Sequence, residues 1–248
     1  MELDGKVAVV TGGTRGVGAG IARSLARAGA QVVVCARRPP EHPLGTAEFI
    51  PLDVRDADAV QRFFTDLPRL DVLVNNAGGA PYRPLTHTDA GRHARVIELN
   101  LLAPLTVSLA AYDHLKHANG SIVMIGSVSG SRPSPGSAAY GAAKAGLENL
   151  ARSMAVEWAP EVRVNTLVVG MVRTELTHLH YGGEDGVEAV ARTVPLGRLA
   201  LPADVGAAAV FLASDTARYI SGASLLLHGG GERPAFLDAA TANKGDVR

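Results

Sequence analysis

Short apolar stretches alternate with longer amphipathic ones along the 248 residues of the chain. Most of the short stretches are continuously apolar, a pattern typical of strands that are covered on both faces. Because the two kinds of stretch alternate, we expect a parallel, doubly wound sheet with helices on both faces. The predicted strands are residues 7–10, 31–35, 48–52, 71–74, 121–125, 163–169 and 224–227. The predicted helices are residues 17–28, 56–67, 91–116, 138–158 and 203–213.

Two connections depart from this alternation. Only about ten residues separate the second strand from the third, and Pro39, Pro40 and Pro43 lie among them. Because proline lacks the N–H that a helix interior requires, we expect no full helix there. The glycine-containing residues 174–193 are interpreted as a mobile excursion that covers the substrate.

The chain is expected to form one domain over residues 1–248, because its length suits a single core and no linker-like stretch divides it. Within that domain the substrate-loop excursion is assigned to about residues 174–200. The polar tail at about residues 232–248 is expected to be loosely held.

The charge, the apolar runs and the cysteine content indicate which partners and which cellular compartment the sequence favours. Lys plus Arg and Asp plus Glu each number 24, so the chain lacks the basic excess typical of nucleic-acid binding. No apolar run reaches the roughly 18 residues of a membrane span, and the N-terminus has no signal-peptide pattern. The single cysteine, Cys35, cannot form an internal disulfide, so we expect a reducing, cytoplasmic setting.

A glycine-rich segment, TGGTRGVG at residues 11–18, follows the first strand and leads into the first helix. Glycines permit a tight turn and a close ligand approach, while the free N–H groups at a helix start favour a pyrophosphate. A purely structural turn is the alternative, but this position favours dinucleotide binding. The candidate contacts are Gly12, Thr14, Arg15, Gly16, Val17 and Gly18.

The region about 20 residues beyond this loop indicates which dinucleotide is bound. Sites that prefer NAD usually offer an acidic residue to the ribose there. Here Arg37 or Arg38, with Arg15, is suited to a 2′-phosphate, because guanidinium groups form paired hydrogen bonds with phosphate. NADP(H) is therefore favoured. NAD(H) stays open, because Arg38 could be an ordinary surface charge and Glu41 could reach a ribose.

Tyr140 and Lys144 lie four residues apart in a predicted helix, so their side chains are neighbours on one face. An ammonium beside a phenol favours the phenolate, and lowering a tyrosine pKa from about 10 to about 7 corresponds to roughly 4 kcal/mol. We therefore expect Tyr140 to act as a general acid or base near neutral pH. The same spacing also occurs in ordinary surface pairs, so the interpretation needs support from elsewhere in the chain.

Polar residues at other strand ends supply that support. Ser127 follows the fifth predicted strand, with Ser129 as its alternative, and a hydroxyl there can stabilise charge on a substrate oxygen. Residues 75–78, with the sequence NNAG, end the fourth strand. Asn100 lies in the next predicted helix, where its amide can hold a water or brace the backbone. Because the carboxyl ends of parallel strands meet at one edge, these groups should share one cleft.

These motifs together resemble the short-chain dehydrogenase/reductase family in its common form of about 250 residues. The resemblance covers nearly the whole chain and implies a three-layer Rossmann-type fold with seven parallel strands. It also implies hydride transfer between NADP(H) and a small alcohol or carbonyl substrate. The matching positions are residues 11–18 and 75–78, Asn100, Ser127, Tyr140 and Lys144.

The resemblance implies a role for each residue of a catalytic tetrad. Tyr140 donates or accepts the proton, and Ser127 polarises the carbonyl. Lys144 holds the nicotinamide ribose and tunes the tyrosine, while Asn100 positions a water. Ser127 is preferred to Ser129 because the family places its serine about thirteen positions before the tyrosine.

The resemblance also implies further cofactor contacts and an assembly. Such enzymes are usually homotetramers, so we expect a homotetramer or a homodimer. Two positions depart from the family pattern: Val169 replaces a usual proline and is expected to loosen the nicotinamide-side loop, and His228 replaces a common aspartate. The implied cofactor contacts are Asp53, Val54, Asn76, Ala77, Gly78, Gly170, Val172 and Thr174, together with Tyr140 and Lys144.

Other functions find less support in the sequence. The eight histidines do not form a His-Glu-x-x-His metal motif, and residues 126–130 do not supply the sharp turn of a serine hydrolase. No metal is expected. Two alternatives stay open: an NAD-linked dehydrogenase of the same family, and a non-catalytic NADP-binding sensor or scaffold on the same fold.

Overall fold

The computed structural model describes residues 1–240, and one parallel sheet of seven strands runs through them. The strand order is β3-β2-β1-β4-β5-β6-β7, so the direction of winding reverses beside β1. A crevice outside the carboxyl ends of β1 and β4 is the usual ligand site of such a sheet. The strands are β1 (Val7–Thr11), β2 (Gln31–Ala36), β3 (Glu48–Pro51), β4 (Val72–Asn75), β5 (Ser121–Ser127), β6 (Arg163–Val169) and β7 (Ser224–Leu227).

Helices cover both faces of this sheet. The helices are α1 (Gly16–Arg27), α2 (Ala57–Asp66), α3 (Ala90–Ile97), α4 (Ala103–Ala118), α5 (Ala138–Glu157), α6 (His178–Tyr181), α7 (Glu184–Thr193), α8 (Pro202–Ala213) and α9 (Ala235–Ala239). Ile21 of α1 and Leu212 of α8 belong to the core on one face. Phe64 of α2, Leu115 of α4 and Leu147 of α5 belong to the core on the other. The expected three-layer Rossmann-type fold is confirmed.

The strands form where continuous apolar runs predict them, each end falling within two residues of its expected position. The central strands β4 and β5 are buried at every residue, as expected for strands that are covered by helices on both faces of the sheet. Residues 37–47, which hold the three prolines, form no helix, as expected.

The prediction of one continuous helix at residues 91–116 is wrong in one respect. A π-helical turn at Glu98–Leu102 separates α3 from α4, and the amide of Ala103 bonds to the carbonyl of Glu98, five residues back. Such single turns are frequent at functional sites, because they redirect the side chains that follow. Here the turn contains Asn100.

The segment after β6 is more ordered than the sequence predicts. Residues 174–193 contain α6 and α7 rather than a continuous loop. The chain after β7 is also held: the Arg233 amide donates to the Thr193 carbonyl at 3.0 Å. This bond ties the start of the expected loose tail to the end of α7, and residues 241–248 of that prediction lie outside the described residues.

One helical stretch of the described residues is similar to a membrane-spanning helix in its length and composition. Ala90–Ala118 has the length and composition of a membrane span, and one third of its most apolar window is buried. The expectation that no such stretch occurs needs this correction. Val107, Ala111 and Leu115 on its inner side belong to the core beneath the sheet. The stretch is thus part of one helical layer of the fold.

Candidate active site

The glycine-rich loop forms a narrow backbone cradle between β1 and α1. Gly12 and Gly16 have φ values of 63° and 52°, in the left-handed region that favours glycine. A Cβ at Gly18 would overlap the carbonyl oxygen of Gly12. A Cβ at Gly12 would lie 2.9 Å from Cα of Ala77. A loop this tight at a helix start fits a pyrophosphate, which needs close approach to backbone amides.

The remaining candidate side chains of the loop border the same cradle. Arg15 stands at the N-cap of α1 and is exposed. Thr14 and Val17 are partly buried beside it. Because Arg15 is exposed at the edge of the cradle, its guanidinium can turn toward a phosphate without leaving a buried position.

Thr11 ties the cradle to the turn after β4. Its Oγ1 accepts hydrogen bonds from the amides of Asn76 and Ala77, both at 3.0 Å. The Asn76 side-chain amide donates to the carbonyls of Thr11 at 2.9 Å and Gly12 at 3.1 Å. Two predicted cofactor segments are thereby joined. Thr11 was not singled out from the sequence, although its position as the last residue of β1 is a usable signal.

The candidate adenosine side lies at the ends of β2 and β3. Arg37 and Arg38 are exposed after β2, and Val54 is buried after β3. The Asp53 carboxylate accepts hydrogen bonds from Arg55 at 3.0 and 2.6 Å. Hydrogen bonding to Arg55, and to a smaller extent the Arg37 charge, hold the pKa of Asp53 below its usual value. The structure thus brings Arg37 near Asp53, and it adds Arg55, which sequence reasoning missed.

Helix α5 presents Tyr140 and Lys144 at the end of β5. Lys144 is 3% exposed, and its Nζ lies 5.6 Å from the centroid of the Tyr140 ring. The same Nζ donates a 2.7 Å hydrogen bond to the carbonyl of Ile125 in β5. The predicted side-by-side arrangement is present, and the strand fixes the position of the ammonium.

Burial controls the pKa of both groups. It lowers the pKa of Lys144 from 10.5 to about 8. It raises the pKa of Tyr140, while a hydrogen bond with Ser127 acts in the opposite direction. The expectation of a tyrosine pKa depressed by Lys144 is therefore wrong, because desolvation of the phenol dominates. At neutral pH the Tyr140 phenol keeps its proton.

Ser127, the last residue of β5, is buried and forms the third member of this group. Its hydroxyl interacts with the Tyr140 phenol and accepts a 3.2 Å hydrogen bond from the Ser129 amide. The backbone of Ser129 thus orients the hydroxyl of Ser127. A hydroxyl held in this way can donate to a substrate oxygen.

Asn100 is fully buried in the π-helical turn. Its side-chain amide donates to the carbonyls of Gly79 at 3.0 Å and Val96 at 2.8 Å. Its Oδ1 accepts from the Gly79 amide at 2.9 Å. A Cβ at Gly78 would lie 2.6 Å from that oxygen and 3.5 Å from Nζ of Lys144. Of the two expected roles for this amide, the structure shows the bracing of the backbone.

The chain after β6 crosses the phosphate cradle. The methyl group of Thr174 lies 3.5 Å from the position that a Cβ of Gly16 would occupy. Val172 pairs with Ala200 in an isolated parallel bridge, which holds this crossing segment in place. The predicted residue Thr174 thus lies against the loop at Gly16, and Val172 belongs to the bridge that precedes it.

The two departures from the family pattern meet at the ends of β6 and β7. Val169 pairs with Leu227 in register, and the Gly170 amide donates to the Leu227 carbonyl at 2.9 Å. A Cβ at Gly170 would lie 2.8 Å from Cβ of His228. The expected loosening after Val169 is therefore not seen. Gly170 is required here by the close approach of His228.

Segments after four neighbouring strands form the outer wall of the cleft. The Arg83 amide donates to the Gly136 carbonyl at 2.6 Å, and the exposed Tyr82 ring lies against Gly136. His178 and His180 belong to α6. Among residues 1–240, no three His, Cys, Asp or Glu side chains are grouped to hold a metal ion.

Comparison with known proteins agrees with this geometry. A family model described as enoyl-(acyl carrier protein) reductase matches residues 12–232 of the chain. That range contains the cradle, the buried group around Lys144 and the wall segments. The match therefore extends over most of the fold rather than over the nucleotide loop alone.

Relatives of similar length resemble the chain from end to end. L-fucose dehydrogenase of Oryctolagus cuniculus is 39% identical over 243 residues, covering 92% of this chain and 85% of the relative. Cis-4-hydroxycyclohexanecarboxylate dehydrogenase of Sinomonas cyclohexanicum is 39% identical over 244 residues, covering 91% and 96%. Both relatives are named as dehydrogenases.

A solved structure shows the same architecture. It is described as an NAD(P)-dependent gluconate 5-dehydrogenase from Beutenbergia cavernae with bound NADP, and it superposes with a TM-score of 0.86 at 35% identity. The alignment covers 92% of this chain and 97% of that one. The chain therefore belongs to the short-chain dehydrogenase/reductase family of oxidoreductases.

Proposed function

We propose that the protein transfers a hydride between NADP(H) and the alcohol or carbonyl group of a small hydroxylated substrate. The observation that carries the proposal is the grouping of buried Ser127 and Lys144 with partly buried Tyr140 at the end of β5, next to the turn that is bonded to the cradle at residues 11–18. The nicotinamide would supply or accept the hydride. Relatives named for a sugar, a cyclohexane acid and gluconate favour a small polar substrate.

Tyr140 is proposed as the general acid or base. Because its phenol keeps its proton at neutral pH, it is ready to protonate the oxygen of a carbonyl undergoing reduction. In the oxidation direction it must first lose that proton, so oxidation should be faster at higher pH. Ser127, oriented by the Ser129 amide, would donate a hydrogen bond to the same substrate oxygen.

Lys144 and Asn100 are proposed to position this group. The Lys144 ammonium, held by the Ile125 carbonyl, lies where it can also hold the ribose of the cofactor. Asn100 fixes Gly79, and thereby the turn next to the nicotinamide. The water that this asparagine is expected to position by family resemblance remains part of the proposal.

NADP(H) is preferred to NAD(H) on the charge at the end of β2. Arg37 and Arg38 are exposed there, and Asp53, on which the Arg37 charge acts, is engaged by Arg55. A carboxylate paired in this way is a weaker acceptor for a ribose hydroxyl. An exposed guanidinium suits a 2′-phosphate.

The test of the chemistry is Tyr140→Phe. We expect the variant to lose at least about 100-fold in kcat/KM, because the proton-transferring group is gone. Its affinity for the cofactor should stay close to that of the wild type. The measurement is initial rates with a panel of alcohols and carbonyls, alongside cofactor fluorescence titration.

Tyr219→Phe is the matched control, since Tyr219 is fully exposed and remote from the cleft. Full turnover by Tyr140→Phe would contradict the proposal. Tight NADPH binding by a wild type that converts no panel compound would instead favour the sensor alternative.

Cofactor preference is tested with Arg37→Ala. We expect its affinity for NADPH to fall about tenfold, the value of one charge-assisted hydrogen bond, while its affinity for NADH changes little. Titrations of both cofactors measure this, with Arg23→Ala on the exposed side of α1 as the control. An equal loss for both cofactors, or tighter NADH binding by the wild type, would favour the NAD-linked alternative.

Assembly and location complete the proposal. We infer one folding unit that associates into a homotetramer, or a homodimer, through apolar side chains exposed on α4, α5 and β7. These include Leu109, Val156 and Leu226, which are 59%, 80% and 56% exposed. The single thiol, Cys35, is buried and free, which fits the expected cytoplasmic setting.

A further inference from the structure

Three chain segments meet at one ion pair on the wall of the cleft. Nη2 of Arg132, in the segment after β5, lies 2.7 Å from Oε1 of Glu232, in the segment after β7. Tyr181 of α6, in the segment after β6, lies close enough that both charges act on its pKa, which burial raises. Because all three segments leave carboxyl ends of neighbouring strands, the pair stands on the ligand side of the sheet.

Arg132 is tied to the reacting end of the site. It lies in the short segment between Ser127 and Tyr140, whose first turn is fixed by the Ser129 amide bonded to Ser127. The Ser134 hydroxyl donates to the Ser129 carbonyl at 3.4 Å, which folds this segment back on itself. The Arg132 backbone is therefore part of the same compact unit as the two hydroxyl-bearing groups.

Glu232 is equally well anchored. The next residue, Arg233, donates its amide to Thr193 at the end of α7, and the Leu196 amide donates to Gly229 at 3.1 Å. These bonds hold the segment after β7 against the excursion. The backbone that carries the Glu232 carboxylate is thus held in place.

The pair is only partly enclosed, so it can contact a ligand. The Arg132 and Glu232 side chains are 44% and 34% exposed, less than the 52% and 60% of the Arg173–Glu184 pair in the segment after β6. The ion pair joins one nitrogen of the guanidinium to one oxygen of the carboxylate. A guanidinium carries five N–H donors and a carboxylate two acceptor oxygens, so both retain capacity for hydrogen bonds.

The Arg132–Glu232 pair presents one positive and one negative group, and this combination favours neutral over charged substrates. A substrate carboxylate approaching Arg132 would also meet the negative charge of Glu232, whereas a hydroxyl accepts from the guanidinium and donates to the carboxylate at once. A neutral hydroxylated group therefore satisfies both partners without displacing either.

We propose that Arg132 and Glu232 together bind a hydroxyl of the substrate at the end remote from the reacting carbon, which makes the substrate a neutral polyol or sugar rather than a hydroxy acid. This inference rests on the proposed function, and it names the substrate class of the same site.

The experiment compares matched ring alcohols with the intact enzyme and NADP⁺. The probes are cis-cyclohexane-1,4-diol, cis-4-hydroxycyclohexanecarboxylate and cyclohexanol, with L-fucose and D-gluconate as a second neutral and acidic pair. Wild type should prefer the neutral member of each pair in kcat/KM. Glu232→Gln should lose about tenfold on the diol, the value of one hydrogen bond to a charged group. It should gain on the acid and leave cyclohexanol unchanged.

Glu184→Gln, which breaks the Arg173–Glu184 ion pair in the segment after β6, is the control and should leave all ratios unchanged. A wild type that prefers the acids would overturn the proposal. So would a Glu232→Gln effect that is equal on all probes, since that is the effect of a purely structural tie. A wild type that converts no alcohol or carbonyl of any kind would refute the proposed function itself.

Discussion

At the scale of single residues, Lys144 is the site's buried cation. Its ammonium is almost fully buried, and the Ile125 carbonyl supplies a 2.7 Å hydrogen bond. One neutral acceptor does not replace the water that a free ammonium has, so the pKa falls to about 8. Lys144 therefore titrates close to the pH at which the enzyme would work, which couples its charge to both stability and proton transfer.

The first prediction at this scale concerns stability against pH. The folded protein releases the Lys144 proton near pH 8 and the unfolded chain near 10.5. Between these values the unfolded chain binds more protons, so raising the pH should stabilise the folded state by up to about 3 kcal/mol. Below pH 8 this contribution is absent.

Lys144→Met has no such proton and should lack the increase. Urea unfolding of both proteins at several pH values between 7 and 10.5 measures the difference in their free energies of unfolding. If that difference does not change with pH, Lys144 does not titrate as described.

At the scale of elements, strands were predictable and the π-helical turn was not. Continuous apolar runs identify buried strands locally, which is why β1 and β5 appear where expected. The turn at Glu98–Leu102 depends on a distant partner. The Asn100 side-chain amide donates to the nearby Val96 carbonyl and also to the carbonyl of Gly79, which is 21 residues away. Local periodicity contains no information about that contact.

The positions of Ser127, Tyr140 and Lys144 followed from strand ends and helix spacing, whereas their pKa values depend on tertiary burial.

The crossing of α1 and α8 is a second tertiary feature. A Cβ at Gly20 of α1 would overlap Pro202 of α8, and a Cβ at Gly206 of α8 would overlap Ser24 of α1. Glycines on both helices therefore allow the two backbones to approach closely. The helix that carries the phosphate cradle is thus held in place by α8.

We expect Gly20→Ala to destabilise the protein by about 1–3 kcal/mol, because the added methyl group forces the two helices apart. It should also weaken cofactor binding, since the shift would move the start of α1. Thermal unfolding and NADPH titration measure the two effects.

Gly146→Ala in α5 is the control, since its Cβ would meet only the flexible end of Leu101. Its gain in helix propensity of up to about 1 kcal/mol should offset that contact. Equal stability of the two variants would show that the α1–α8 crossing is not tight.

At the scale of the whole molecule, the exposed apolar side chains indicate which surfaces meet other copies. The strand β7 is one edge of the sheet, and Leu225 and Leu226 on it are 39% and 56% exposed. An edge strand with exposed leucines is a risk for uncontrolled pairing unless another surface covers it. Leu109 and Val156 place a second apolar surface on α4 and α5.

We expect Leu226→Glu to reduce the assembly to a smaller species, because a carboxylate cannot be buried in an apolar interface without a partner. Sedimentation velocity of the wild type should give a mass of about two or four times 25.7 kDa. Leu85→Glu, at an equally exposed leucine outside these surfaces, should leave the mass unchanged. A wild type that sediments as a monomer would contradict the inferred assembly.

The anchoring of Lys144 to Ile125 has a consequence for how such a protein can change. The groups that we propose to react are attached to a strand and a helix of the interior, whereas Arg132, Tyr181 and Glu232 stand on three connections at the surface. Replacing those connections would exchange one recognised molecule for another while the interior went on performing the same reaction. Redesign of selectivity should therefore begin at the three connections and leave β5 and α5 intact.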